Sequence, residues 1–169
     1  MILKYKIFII FFYVALITQS FGSDQKIVYL NLDYIVQNSA PGKLILQELD
    51  DIKKKNIEQL KSKKNKLKNK EDDLIKKKNI LSTEEFESKV LALREEMNNY
   101  NKDRQETFSK FEQNKKKKLN EFLKQITPLI EKFVKENSIN IVLNEKNLFI
   151  ASKKFDITNQ IVEIINKNN

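Results

Sequence analysis

The pattern of hydrophobic and polar residues differs between successive stretches of the chain. Residues 7–17 form an unbroken apolar run, whereas residues 26–32 are rich in β-branched and aromatic side chains and predict a buried strand. Residues 43–137 are mostly polar, with apolar residues at helical spacing, and a pattern this long predicts a helical hairpin or coiled coil. Towards the C-terminus, apolar runs at 139–143 and 148–150 around an Asn-Glu-Lys-Asn turn predict a β-hairpin.

The predicted helical hairpin has an incomplete coiled-coil seam. Leucines recur every seven residues at Leu60, Leu67, Leu74 and Leu81, but the other seam position is charged after Ile57. The second arm is more apolar, and its regular 4-3 spacing loosens through extra four-residue steps. It contains Phe86, Val90, Leu93, Met97, Tyr100 and Phe108.

Local signals set the expected ends of these elements. The Ser-x-x-Glu sequence that begins at Ser82 is a capping box, so we expect helices over 44–80 and 84–136 with a tip near 79–83. Pro128 should kink the second helix.

The flanks of the hairpin carry shorter elements. A short helix is expected over residues 33–40, followed by a turn at Pro41-Gly42. Asp156 should cap a final helix, because its carboxylate can accept from free backbone N–H groups. Apolar residues at i, i+4, i+7 and i+8 give that helix one apolar face, made of Ile157, Ile161, Ile164 and Ile165.

The N-terminal segment has the layout of a secretory signal peptide. Lys4 and Lys6 precede the apolar run, and small residues follow it. Eleven apolar residues are too few to span a bilayer, which needs roughly 20. We therefore predict a signal peptide over residues 1–22, cleaved between Gly22 and Ser23, and export from the cytoplasm; an uncleaved anchor is the alternative.

Composition excludes most catalytic chemistry. The 169 residues include no His, no Cys, no Trp and only 2 Gly. These absences exclude zinc sites of the usual kind, thiol nucleophiles and Ser-His-Asp triads, and so few glycines exclude phosphate-binding loops. We predict a protein that is not an enzyme, with no catalytic residues, no metal and no cofactor.

Positive charge is concentrated on the first arm. Residues 51–81 hold 12 Lys and 5 acidic residues, whereas residues 82–125 hold 10 basic and 9 acidic residues. This asymmetry indicates either a partner of opposite charge or a solvated face in a lysine-rich protein. Nucleic acid is a weak candidate partner, because Arg and aromatic residues are few and the export signal argues against it.

The part outside the arms is small. Residues 23–43 and 126–169 would form a β-rich body of roughly 60 residues, a size at which a single core is marginal. A three-stranded sheet also leaves unpaired edges, which self-association would cover. We therefore predict an α+β chain in which residues 44–125 form the arm and the body forms a homo-oligomer. The candidate oligomerisation residues are Ile27, Tyr29, Ile141 and Leu143.

Three blocks of sequence resemble the Skp/OmpH family. Residues 26–50, which include Ser39-Ala40-Pro41-Gly42-Lys43, resemble the start of the mature family members. The tip at 81–86 and the blocks at 139–150 and 156–158, with Asp-Ile-Thr, are similar to the family's arm tip and closing segments. The order of the blocks carries the resemblance, since no single motif is diagnostic.

The resemblance implies a function and an assembly. Members of the family are periplasmic, ATP-independent chaperones that form homotrimers, with a small β-barrel body from which three helical hairpins extend. They hold unfolded outer-membrane proteins between the arms. Some members also bind lipopolysaccharide through basic residues, so contact with anionic lipid or lipopolysaccharide is implied here without assigned residues.

A holdase needs many separated, weak contacts, and the arms offer candidates for them. The apolar candidates are Leu60, Leu67, Leu74, Phe86, Met97, Tyr100 and Phe108. The basic candidates are Lys63, Lys64, Lys66, Lys76, Lys77 and Lys78. The alternative is that the apolar residues pack arm against arm, above all the leucines. A structural coiled coil of the envelope that binds no client is the remaining rival function.

Overall fold

Two long helices account for most of residues 25–168, the part of the chain that the computed structural model describes. In chain order the regular elements are β1 (Ile27–Leu30), α1 (Leu32–Asn38), α2 (Ala40–Lys76), α3 (Thr83–Glu136), β2 (Ile141–Asn144) and α4 (Thr158–Lys167). Two short 3-10 helices, Glu145–Asn147 and Lys153–Phe155, connect β2 to α4. The predicted signal peptide, with its cleavage site at Gly22 and Ser23, lies outside the described residues.

Helix α2 begins four residues earlier than expected. The prediction of a turn at Pro41-Gly42 was wrong, because both residues lie in the first turn of α2. Ser39 caps the helix, since its side chain accepts from the Gly42 N–H at 3.3 Å. Proline is favoured at the start of a helix, where its missing N–H would have no intrahelical acceptor. The same residues that indicate a turn therefore begin a helix here.

The tip of the hairpin lies close to the predicted position. Helix α2 ends at Lys76 rather than at Ile80, and residues 77–82 form the turn. The capping prediction is confirmed, since the Ser82 side chain accepts from the Glu85 N–H and α3 starts at Thr83. The tip side chain of Ile80 is exposed.

Helix α3 continues through Pro128 to Glu136 without interruption. Proline provides no N–H to the preceding turn, so one intrahelical hydrogen bond is absent there. One residue earlier, the Thr127 hydroxyl donates to the Leu123 carbonyl at 2.7 Å.

The two strands, β1 and β2, pair with each other in parallel. The predicted β-hairpin between residues 139–143 and 148–150 was wrong. Ile27 pairs with Ile141 and Leu30 with Asn144, which places the start of β1 beside the start of β2. After β2 the chain does not turn back tightly, because residues 145–147 form a 3-10 helix capped by Asn144, whose side chain accepts from the Lys146 N–H. Residues 148–150 are not a strand.

The core lies where β1, β2, α1, α4 and the C-terminal part of α3 meet. Its buried side chains are Val28, Leu30, Ile35, Phe122, Ile126, Ile139, Ile157, Ile161 and Ile165. The predicted apolar face of α4 is confirmed, with Ile164 partly buried against the core. The cap position of α4 is Ile157 rather than the expected Asp156, one residue earlier, although the Asp156 carboxylate does accept from the backbone N–H of Thr158, the first residue of α4.

Candidate functional site

Three ion pairs join the two helices of the hairpin and fix its register. Glu48 pairs with Lys118 at 2.5 Å, Lys63 with Asp103 at 2.6 Å, and a third pair follows nearer the tip. This third pair is Lys70 with Glu96, also at 2.6 Å. In each pair the two residue numbers add up to 166, so one antiparallel register holds from the body almost to the tip.

Two of these ion pairs enclose a groove with an apolar floor. The groove between Lys63–Asp103 and Lys70–Glu96 has a volume of about 280 Å³ and contains Leu67. Leu67 is half-buried, as are the other seam leucines, Leu60 and Leu74. On this side of the hairpin the apolar residues therefore serve mainly to hold the helices together, and four of the five surrounding charged residues are paired with one another.

A different side of the hairpin carries exposed apolar residues. Leu46 and Ile57 are 11 residues apart and Ile57 and Ile75 are 18 apart, which are close to three and five full helical turns. Met97 and Phe108 are likewise 11 apart on α3. Phe108 lines one groove with Leu46 and Ile57, so the apolar residues of α2 and those of α3 lie on the same side of the hairpin. We call these five residues the apolar stripe.

The stripe is solvent-exposed, although its members are large and apolar. Relative exposure is 50% for Ile57, 56% for Phe108 and 41% for Met97. Lys63 and Lys70 lie 6 and 13 residues from Ile57, more than a quarter-turn away around α2, so the ion-paired side is separate. The arm thus has one side that holds the helices in register and one that presents apolar surface.

Lysines accompany the stripe on α2. Lys53, Lys61, Lys64 and Lys68 lie four, seven or eleven residues from Ile57 and so share its side of the helix. Among the described residues, none of the four has a carboxylate within 4 Å. The stripe therefore combines apolar groups with positive charge that no residue of the described chain neutralises.

The structure separates the predicted client-binding residues into groups. Met97 and Phe108 belong to the stripe, and Lys64 lies beside it. The half-buried members lie between or beside the helices: Leu60, Leu67, Leu74, Phe86 and Tyr100. Lys63 and Lys76 are ion-paired, with Asp103 and Asp73. The others are exposed without an ion pair among the described residues: Lys66, Lys77 and Lys78.

Sequence reasoning missed three residues of the stripe. Leu46 and Ile75 were overlooked, and Ile57 was placed at a seam position, because a search for a seven-residue repeat selects side chains expected to face the partner helix. The signal that identifies them is the 11- and 18-residue spacing, which follows a single face of a straight helix.

The body has a second exposed apolar surface. Val28 and Leu30 point into the core, and the alternate residues Ile27, Ile141 and Leu143 are exposed on the other face of the sheet. Of the four predicted oligomerisation residues only Tyr29 is buried. Next to this face, the side chains of two residues of the connecting segment are almost fully solvated: Phe149 and Ile150.

Tyr29 has a perturbed environment at this sheet face. Burial raises the pKa of its phenol above the ordinary value of 10.0, and the carboxylates of Asp156 and Glu145 raise it further. Its backbone is held on both sides, since β1 pairs with β2 and the Tyr29 carbonyl accepts from the Ile157 N–H at 2.9 Å. The hydroxyl therefore stays protonated in the folded chain at neutral pH.

Among residues 25–168, no helix combines the length and apolarity that crossing a bilayer requires. Over the same residues, the acidic side chains form no group of three that could hold a metal ion.

Comparison with known proteins places the chain in a family. The family model described as outer membrane protein (OmpH-like) matches residues 26–165. The fold is similar to a solved structure from Caulobacter crescentus, described as an OmpH-like outer membrane chaperone, with a TM-score of 0.76. Sequence identity to it is 18%, and the match covers 86% of each chain, so this likeness concerns the fold. No curated protein matches the sequence significantly.

These matches confirm the resemblance inferred from the sequence, and with it the predicted combination of a small sheet with a long helical hairpin. The family match extends over most of the chain, from the residue before β1 to the last turns of α4. This protein belongs to the OmpH-like family.

Proposed function

We propose that this protein is an ATP-independent holdase of the periplasm that binds unfolded outer-membrane proteins and prevents their aggregation during transit. In this proposal residues 44–125 are the client-binding arm, and residues 23–43 and 126–169 are the body through which three copies assemble. Membership of the OmpH-like family supports the proposal, as does the predicted signal peptide.

The observation that carries the proposal is the exposed apolar stripe. The exposure of Ile57, Met97 and Phe108 does not stabilise the hairpin, because burying each of these side chains fully would contribute about 1–3 kcal/mol to stability. An unfolded chain can provide that burial at several separated points. Since each contact is small, a client held this way is released without an energy source once it can fold elsewhere.

The lysines beside the stripe add a second, less specific attraction. A client with net negative charge is drawn to a surface that carries unpaired cations, and salt weakens this attraction. The ion-paired side of the arm contributes little to it, because Lys63 and Lys70 are neutralised by Asp103 and Glu96. Contact with anionic lipid or lipopolysaccharide would use the same unpaired lysines.

An aggregation assay tests the proposal. A urea-unfolded outer-membrane β-barrel protein is diluted into buffer with and without the mature protein, and light scattering is followed. We expect scattering to be suppressed at about one trimer per client. Unchanged scattering at that ratio contradicts a holdase and favours the rival, a structural coiled coil that binds no client.

Matched variants assign the activity to the stripe. The double variant Met97→Ser and Phe108→Ser removes two exposed apolar groups and should keep the fold, because neither side chain is buried. Leu91→Ser is the control, since Leu91 is also exposed on α3 but lies outside the stripe. Equal protection by the double variant and the control contradicts a role for the stripe.

Assembly through the body is supported by the sheet. Within the described residues, the outer edge of β2 has no strand beside it, so its backbone groups are available to another copy. The exposed residues Ile27, Ile141 and Leu143 would be buried by the same contact. Light scattering on a sizing column measures the assembly; a monomer at micromolar concentration contradicts it.

A further inference from the structure

One groove on the arm is lined by six large apolar side chains, more than either groove nearer the tip. It lies on the stripe side at the body end of the hairpin and has a volume of about 410 Å³. Its apolar lining includes Leu46, Ile57, Leu60, Phe108 and Phe111. We call it the base groove. Its volume falls within the range of roughly 300–1,000 Å³ that is typical of small-ligand sites, so an aromatic side chain and its neighbours fit.

The base groove also has a positive rim. Lys53 and Lys115 both line it, one from each helix, and neither has a carboxylate within 4 Å among the described residues. Of the two acidic residues at the rim, Asp50 is already paired with Lys54 at 2.7 Å. The other is Glu112, so the cations are in excess.

The groove that contains Leu67 has less of this combination, because Lys66 is its only lysine without an ion pair among the described residues. There the charged residues Lys63, Lys70, Glu96 and Asp103 pair with one another across the floor that contains Leu67. A carboxylate from a ligand would meet one unpaired lysine there and would otherwise compete with an existing ion pair. At the base groove, a ligand carboxylate meets lysines without competing with an existing ion pair.

The walls of the base groove are also held in place by packing and by an ion pair. Leu49, one of its lining residues, is buried, and the Glu48–Lys118 ion pair joins the helices close by. Helix α3 enters the core only a few residues later, at Phe122. A groove with fixed walls loses little freedom when a ligand binds, which favours affinity.

From these observations we infer that the base groove is an anchor site for unfolded segments in which an aromatic or large aliphatic residue lies next to Asp or Glu. The inference rests on the proposed function and adds to it, because it assigns a sequence preference to one place on the arm. The apolar side chain enters between Ile57 and Phe108, and the neighbouring carboxylate lies between Lys53 and Lys115.

Short labelled peptides test this inference with the full mature protein. Three probes of equal length are compared by fluorescence anisotropy: Phe flanked by Glu, Phe flanked by Lys, and Ser flanked by Glu. We expect the first to bind about tenfold more tightly than either other peptide at low salt, a difference of roughly 1.4 kcal/mol. The preference for Glu over Lys should decrease as salt is added.

Two variants assign the binding to the base groove. Phe108→Ala should weaken the Glu-flanked Phe peptide about fivefold, and the double variant Lys53→Gln and Lys115→Gln should reduce its advantage over the Lys-flanked peptide to below about threefold. The matched controls are Leu91→Ala and the double variant Lys55→Gln and Lys102→Gln, which should bind as the wild type does. Lys55 and Lys102 are exposed lysines, one from each helix, that lie outside the stripe side and the base groove. Circular dichroism and sizing verify fold and assembly for each.

Three outcomes contradict the inference: equal binding of the three peptides, an unchanged affinity in Phe108→Ala, or equal losses in the controls. A change of molecular mass in Phe108→Ala would instead make the groove a contact between copies, which also overturns it. The aggregation assay separates the two proposals. If the wild type suppresses scattering but shows no peptide preference, the holdase stands and the anchor site is wrong. If scattering is not suppressed, the holdase itself is wrong.

Discussion

Replacing Gly42 by Ala is the sharpest test of how the arm is attached to the body. Gly42 lies in the first turn of α2, where it is buried against the end of α1. A Cβ added there would lie 2.8 Å from the Val36 carbonyl carbon, closer still to its oxygen, and 2.8 Å from the Ser39 hydroxyl oxygen. Atoms at such distances overlap, and the Val36 atoms are backbone, so no side-chain rotation relieves the contact.

Two opposing effects set the size of the change. Alanine is the better helix former by about 1 kcal/mol, so helix propensity alone would make Gly42→Ala stabilising. Overpacking against an immobile neighbour costs about 3 kcal/mol, and here it also displaces Ser39, the cap of α2. We expect a net loss of about 2 kcal/mol in the free energy of unfolding, which lowers the melting temperature by roughly 5 °C for a chain of this size.

The assay is thermal and urea unfolding followed by circular dichroism at one fixed protein concentration, because the proposed assembly would make stability depend on concentration. Lys43→Ala is the matched control, since Lys43 is the next residue and is exposed. The control should change stability by less than about 0.5 kcal/mol. If Gly42→Ala equals or exceeds the wild type in stability, the close approach of α1 and α2 is not a real constraint.

The remaining predictions concern register, pH and the core. Lys70→Glu should destabilise the hairpin by less than about 1 kcal/mol, and adding Glu96→Lys should restore most of this; a double-mutant cycle with no coupling contradicts the cross-helix pair. Because the pKa of Tyr29 is raised by burial and by Asp156, its contribution to stability is complete below pH 10 and is lost as the pH rises through the folded-state pKa. The melting temperature of Tyr29→Phe should therefore fall less than that of the wild type between pH 9 and 11, and parallel curves would refute this. Ile161→Ala should cost about 3 kcal/mol, measured by urea unfolding, because its side chain is fully buried; a loss below about 1 kcal/mol would mean that the core is wrongly placed.

The long helices could be predicted from the sequence because their signals are local. Ser82 caps α3 through a hydrogen bond to a residue three positions away, and such a contact needs no information from the rest of the fold. The apolar face of α4 follows from a spacing within ten residues. Predicted helix boundaries were less accurate where a residue type is common in two kinds of structure. Pro41 is an example, since proline is common both in the turns between elements and at the start of a helix.

The pairing of the strands could not be predicted from local sequence signals. β1 and β2 are more than 100 residues apart, and their parallel arrangement depends on where α3 returns the chain to the body. The nearby run at 148–150 has strand-like composition and therefore suggested an antiparallel hairpin. Strand composition reports that a segment suits a sheet, but the partner is decided by the path of the chain.

The division of the arm into two sides explains why its sequence looks like a poor coiled coil. A complete apolar seam would hold the helices together, but here that seam is half charged, and the cross-helix ion pairs such as Lys63–Asp103 supply the register instead. Exposed ion pairs contribute little to stability, yet a register shift of one heptad would break all three and re-form only one, either Lys63–Glu96 or Lys70–Asp103, while it places two lysines opposite each other. The helices can then keep large side chains such as Phe108 in solvent, because alignment does not depend on burying every apolar group. The ion-paired side and the exposed apolar side of the arm therefore both follow from the half-charged seam.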